Sequence, residues 1–327
     1  NQAMREAEEA VRLAPDEPEF LALKARLLIE LQRPLSAAEV LRRAVALPGG
    51  DRFRADLGAA YRRAGNLEAA EEELTAAVGL CPDHPEIHEE LAALFAARGD
   101  REGAVRELRH ALTLEPESLD TRLRLAQGLA QYGHDEEAAE QLQRAAALAP
   151  EKGPVHLALG QVLEKLGRLS EARASLERAT SLDERSPASL LSLGRVCRRL
   201  GDIPAALDAL QSALAQAPDQ AETHLELGRA WLDATRPQEA RKHFQEAIRL
   251  DGPSAAALDG LGRAQLAAGE VDGAIATFEK AIGLAPEAEE LREGLARAFA
   301  AKGWVQEAVN QLTDAAERHP RSVRLRL

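Results

Sequence analysis

Three arginines fall within five residues in the stretch SLGRVCRRLGD (Ser192–Asp202), in a chain whose formal net charge is −13. A guanidinium is a planar fork that holds a carboxylate or phosphate at two points, so Arg195, Arg198 and Arg199 together suit an acidic or phosphorylated ligand. Their nearest acid in sequence is Asp202, which leaves two readings open: a binding surface, or pairing with acids from neighbouring segments. A second stretch, CPDHPEIH, sets Cys81, His84 and His88 at the C-x2-H-x3-H spacing of a half zinc site. It lacks a fourth ligand and straddles a boundary between repeated segments, so no metal is expected. Cys197 lies between basic neighbours that would favour a thiolate, but it occupies a core position and is expected to be a buried apolar residue. There is no Gly-rich phosphate loop, nucleophile elbow or H-E-x-x-H. No catalytic residue and no cofactor is assigned, and the expected answer to whether this is an enzyme is no.

The elements that position these residues are helices. Only 3% of the chain is aromatic, while Ala, Leu, Arg and Glu dominate, the composition of helices rather than sheets. Two cysteines in 327 residues are too few for a disulfide framework. No apolar run approaches the roughly 20 residues of a membrane span, and no leader is visible at Asn1. The excess of 54 acidic over 41 basic side chains argues against nucleic acid as the main partner.

Recurrence dominates the chain. Pro82, Pro116, Pro150, Pro218, Pro286 and Pro320 are spaced by 34 residues or a multiple, and Gly65, Gly99, Gly133, Gly167, Gly201, Gly269 and Gly303 keep the same step. Eight units of 34 residues follow from Asp51, with Leu always seventh, Gly or Ala eighth, Ala twentieth and twenty-seventh, and Leu or Phe twenty-fourth. Each unit carries two blocks of helical periodicity broken by Gly, or once by Thr235, which predicts a helix, a tight turn and a second helix.

Segments such as LGAAYRRAGNLEAAEEELTAAVGLCP (57–82) and LGRAQLAAGEVDGAIATFEKAIGLAP (261–286) resemble the tetratricopeptide repeat. That resemblance implies an all-α fold, a right-handed α-solenoid superhelix of tandem helix-turn-helix repeats. Residues 1–17 then read as the second helix of a truncated preceding repeat, 18–50 as a degenerate 33-residue repeat, 51–322 as eight repeats, and 323–327 as the start of another. The family's aromatic residue at the fourth position is replaced by Arg54, His88, Arg122, His156, Leu190, His224, Leu258 and Arg292, which suggests a polar seam between neighbouring units.

The resemblance further implies a concave groove lined by the first helices, where similar proteins hold a peptide or partner helix. At about 100° per residue, positions 2, 5, 9, 12 and 13 share that face. Position nine reads Gln127, Gln161, Arg195, Arg229, Arg263 and Arg297, four consecutive arginines at one structural place. These residues, with Arg198 and Arg199, are the candidate partner-binding set. Glu226, Asp259 and Glu293 stand three or four residues before three of the arginines and can pair with them along the helix.

The expected function is a non-catalytic scaffold that binds a protein or peptide, with an acidic or phosphorylated segment at the arginine ladder. The alternatives are a regulatory or sensor segment of a larger enzyme or signalling ATPase, and a self-associating spacer, including a periplasmic scaffold in polysaccharide export. The expected compartment is the cytoplasm, with no nucleic acid and no membrane span among the partners.

Overall fold

A computed structural model of the chain describes residues 2–318. The segment 323–327, expected to begin a further repeat, and the end of the unit before it lie outside the described residues. The described chain is all-α, with nineteen α-helices, a single 3-10 turn at Gly50–Phe53 and no strand.

Two compact units meet in sequence at Pro150 and Glu151. The first contains α1 (Gln2–Leu13) and four hairpins: α2 (Pro18–Glu30) with α3 (Pro34–Val45), α4 (Arg54–Arg63) with α5 (Leu67–Leu80), α6 (Pro85–Ala97) with α7 (Arg101–Leu114), and α8 (Leu119–Gln131) with α9 (Asp135–Leu148). The second contains five: α10 (Gly153–Lys165) with α11 (Leu169–Leu182), α12 (Pro187–Arg199) with α13 (Ile203–Gln216), α14 (Ala221–Asp233) with α15 (Pro237–Asp251), α16 (Ala255–Ala267) with α17 (Val271–Leu284), and α18 (Glu289–Lys302) with α19 (Val305–Arg318).

Local chemistry sets the helix ends. Proline opens α2, α3, α6, α12 and α15, where its missing N–H would have had no intrahelical partner. Asn66, Asp100, Ser186, Asp202 and Ser254 accept the backbone N–H three residues on, as N-caps do. Between the helices of a hairpin, the recurrent glycines adopt φ of +75° to +85°, the left-handed turn that lets Asp100 N–H donate back to Phe95 O at 2.9 Å. Two non-glycine residues take the same turn, Gln32 and Thr235, each with φ of 57°.

Within each unit, every second helix packs on its own partner and on the next first helix; successive first helices also touch, α4 with α6 in the first unit and α10, α12, α14, α16 and α18 in turn in the second. The alanines at positions twenty and twenty-seven, from Ala70 and Ala77 to Ala308 and Ala315, are all buried where these helices meet. Volume is balanced locally. Phe244 and Phe278 fill the place that Leu74, Leu176 and Leu210 fill elsewhere, and each lies between two glycines. A Cβ on Gly228 or Gly262 would stand 2.7 or 2.9 Å from the ring of its own unit, and one on Gly260 or Gly294, in the following first helix, would stand closer still.

Candidate functional site: the first-helix face and the polar seam

In the second unit the three arginines of α12 reach acids of the neighbouring first helices α10 and α14. Glu164, buried on α10, accepts from Arg195 Nε at 2.9 and 3.1 Å, from Arg195 Nη2 at 3.0 Å and from Arg199 Nη1 at 3.3 Å. Arg199 also donates to the Glu164 carbonyl at 3.1 Å. Arg195 reaches Glu222 through Nη1 at 3.1 Å. Arg198 contacts Glu226 at 3.3 Å and Asp233 at 3.1 Å, and the buried Glu226 also accepts from Arg229 at 2.6 Å. Burial alone would depress the Arg195 pKa, but the bond to Glu164 and the charges of Glu164, Glu226 and Glu222 more than reverse it, so its pKa is raised.

Of the two sequence readings of the arginine cluster, pairing with adjacent repeats is therefore realised. Asp202, the nearest acid in sequence, instead pairs with Arg173 and caps α13. Cys197 is buried, and burial pushes its thiol pKa up against the opposing pull of Arg173.

Further along the face the arrangement loosens. Arg263 and Arg297 are exposed and their recorded ion pairs are with acids one turn back on their own helices, Asp259 and Glu293. Burial raises the pKa of Asp259 although Arg263 and Arg229 oppose the shift. The two arginines line a cleft of about 680 Å³ together with Leu232, Leu266, Ala267, Phe278, Glu290 and Glu293. Gln161 is exposed on α10 and donates to Ser192 Oγ at 3.3 Å. Gln127, in the first unit, is exposed and lines a separate cleft of about 310 Å³ with Arg62, Arg63 and Arg124.

The fourth-position side chains form a second recurring structure. Five of them, Arg54, His88, Arg122, His224 and Arg292, cross the hairpin to the residue nineteen further on, and all of these but Arg54 turn back to the carbonyl of the proline that closed the preceding unit. Arg54 donates to Glu73 at 2.8 Å, Arg122 to Gln141 at 2.8 Å and to the Pro116 carbonyl, and Arg292 to Gln311 at 3.4 Å and the Pro286 carbonyl at 3.2 Å. His224 meets His243 at 3.0 Å between Nδ1 atoms and the Pro218 carbonyl at 3.2 Å. His88 meets Glu107 at 2.9 Å and the Pro82 carbonyl at 2.9 Å, and His110 Nδ1 stands 3.2 Å from His88 Nδ1. The polar seam expected from sequence thus bridges the two helices of one hairpin as well as the junction to its neighbour.

Sequence reasoning grouped His88 with Cys81 and His84. The fold separates them: Cys81 and His84 are exposed, and His84 pairs with Glu86. It brings Glu107 and His110 to His88 instead. The signal that finds them is the repeat itself, because position twenty-three meets position four in five hairpins and position twenty-six joins it in α6–α7 and α18–α19.

No helix among the described residues is long and apolar enough to cross a membrane. Three models of the tetratricopeptide repeat match residues 51–94, 157–221 with 225–289, and 265–327, together more than half of the chain. No curated protein matches it in sequence. Among solved structures it is similar to a chain of the APC/C hetero-tetramer Cut9-Hcn1 at 16% identity, covering 98% of this chain and 79% of that one with a TM-score of 0.57. It is also similar to PilW, a type IV pilus biogenesis factor, at 22% identity, covering 64% of this chain and 96% of that one with a TM-score of 0.57. A third is pilF of Pseudomonas aeruginosa, at 22% identity, covering 63% of this chain and 94% of that one with a TM-score of 0.52. At these identities the likeness is one of fold.

Proposed function

Because the chain belongs to the tetratricopeptide-repeat family, we propose that it is a non-catalytic interaction scaffold that holds an extended or helical segment of a partner protein along its first-helix face. The observation that carries this reading is the cleft beside Arg263 and Arg297, whose lining combines apolar side chains (Leu232, Leu266, Ala267, Phe278) with two exposed guanidinium groups. A segment with one apolar side chain flanked by carboxylates or a phosphorylated residue matches it.

The strength of the existing ion pairs orders the arginines. A pair along one exposed helix is worth about 0.2–0.5 kcal/mol, so a partner's acid competes readily for Arg297, and for Arg263 at the added cost of leaving the half-buried Asp259 without its partner. Arg195, Arg198 and Arg199 are held by buried carboxylates of other repeats, and displacing them would leave Glu164 unpaired inside the protein and Glu226 with Arg229 alone. In this reading the ladder engages its partner at Arg263 and Arg297, and Arg229, Arg195, Arg198, Arg199 and Gln161 shape the face that the segment follows. Gln127 belongs to a cleft of its own in the first unit.

Fluorescence anisotropy with a labelled peptide carrying a Leu between Glu residues, its phosphoserine form and its Lys-for-Glu counterpart tests this. The acidic peptides are expected to bind with salt-sensitive affinity, the Lys peptide not to bind, and the Arg263→Glu/Arg297→Glu variant to lose at least about tenfold. Equal binding of the acidic and Lys peptides, or no change in the variant, would sink the reading.

A further inference from the structure

We propose that the hairpin of α6 and α7 carries a binding site for a divalent transition-metal ion, with Zn²⁺ as the reference case, formed by His88 Nδ1, the Glu107 carboxylate and His110 Nδ1. Their ligand atoms lie within 4.8 Å of one another. His88 and Glu107 are 2.9 Å apart, and the two imidazole nitrogens are 3.2 Å apart. Four donors at about 2.0–2.1 Å around a tetrahedral zinc stand roughly 3.3 Å from each other, so two of the spacings are already close to those of a bound ion.

Proton accounting points the same way. His88 Nε2 is 2.9 Å from the Pro82 carbonyl, an atom that only accepts, so Nε2–H donates to it and Nδ1 is the nitrogen left facing Glu107. An ionised carboxylate also only accepts. The same carbonyl bond is the outer-shell contact that fixes the tautomer of metal-bound histidines. His224 and His243 show the contrast: His224 Nε2 is held by the Pro218 carbonyl, and His243 Nδ1 can donate to the facing Nδ1, with no carboxylate at position twenty-three. Around His88 there is an additional acceptor, the Glu107 carboxylate, whose charge a proton on Nδ1 or an ion bound between the three groups would balance.

Three of the seven sibling repeats show a cation in that place. Arg54, Arg122 and Arg292 occupy the position of His88, and each sends a guanidinium to the position-twenty-three side chain. In the hairpin of α6 and α7 the charged head is replaced by a shorter imidazole, and a second histidine enters at position twenty-six. His88 is buried and His110 exposed, so the ion would be anchored on the inner side with a position left for water.

The test is calorimetric titration of chelator-treated, full-length protein with Zn²⁺, with Co²⁺ absorption reporting coordination number. Four proteins are compared: the parent, His110→Ala, His88→Arg and the Cys81→Ser/His84→Ala double variant. His88→Arg rebuilds the Arg54–Glu73 arrangement and is expected to keep the parent's circular dichroism and unfolding midpoint while losing the ion. The expected result is one ion per chain in the parent and in the double variant. Outer-shell changes alone cost about 10–100-fold in affinity, so loss of a ligand in His110→Ala is expected to cost at least about tenfold. No binding by the parent overturns the proposal, as does equal affinity in His110→Ala or His88→Arg, or loss confined to the Cys81/His84 variant.

Discussion

Single residues depart from the repeat pattern at identifiable cost. Thr235 takes the left-handed turn that glycine takes in the other 34-residue units, and a β-branched side chain is strained at φ of 57°. Thr235→Gly is expected to raise stability by ~1 kcal/mol, read from urea unfolding. His243 offers a pH test. Burial, the neighbouring His224 and Lys242 all lower its pKa from the ordinary 6.5. Its depressed folded pKa means that the unfolded chain takes up a proton first as pH falls, so stability present above pH 6.5 is lost below it, toward the folded value. His243→Ser, which installs the residue found at Ser175, is expected to flatten that part of the profile of unfolding midpoint against pH. Glu164 is the shared acceptor of Arg195 and Arg199. Glu164→Gln keeps its shape and removes its charge, and about 1–3 kcal/mol of stability should go with it.

At the scale of the helix, most of what matters was legible in the spacing. First helices begin at Pro85, Leu119, Gly153, Pro187, Ala221, Ala255 and Glu289, each 34 residues after the last, because proline, turn glycine and cap recur at that step. Contacts between helices were less legible. Arg195 finds Glu164 thirty-one residues earlier and Glu222 twenty-seven later. A helical wheel drawn for one helix shows only acids three or four positions away, so it located the partners of Arg229, Arg263 and Arg297 but not those of Arg195 and Arg198. The pairing of His88 with Glu107 and His110 lay nineteen and twenty-two residues away, and it becomes visible only when repeats are aligned against each other. The phenylalanine packing gives a sharper test of interhelix fit. Gly294→Ala, against the Phe278 ring, is expected to cost about 1–3 kcal/mol as overpacking. Gly194→Ala, against the more adaptable Leu210, should cost less, since Ala92, Ala126 and Ala296 already occupy that position in sibling repeats.

At the scale of the molecule, the net charge of −13 conceals how the arginines are used, because most of those on the first-helix face are already matched by acids of the protein. The repeat array was readable from the sequence, whereas the division at Pro150 and Glu151 was not, since that junction carries the same closing proline as the others. Each unit holds its own buried alanine and leucine core. In an array stabilised by nearest neighbours, a chain of residues 151–327 made alone is expected to stay helical and unfold cooperatively by circular dichroism. The phenylalanines set a limit on a different process, the shuffling of repeats by recombination. Where Leu fills the twenty-fourth place, a repeat can be exchanged for a sibling with only modest adjustment by its neighbour. Phe244 and Phe278 are different: each depends on a glycine encoded in the following repeat, Gly260 or Gly294. A duplication or swap that breaks between them separates a large side chain from the space reserved for it, so α14 to α18 is inherited as a block.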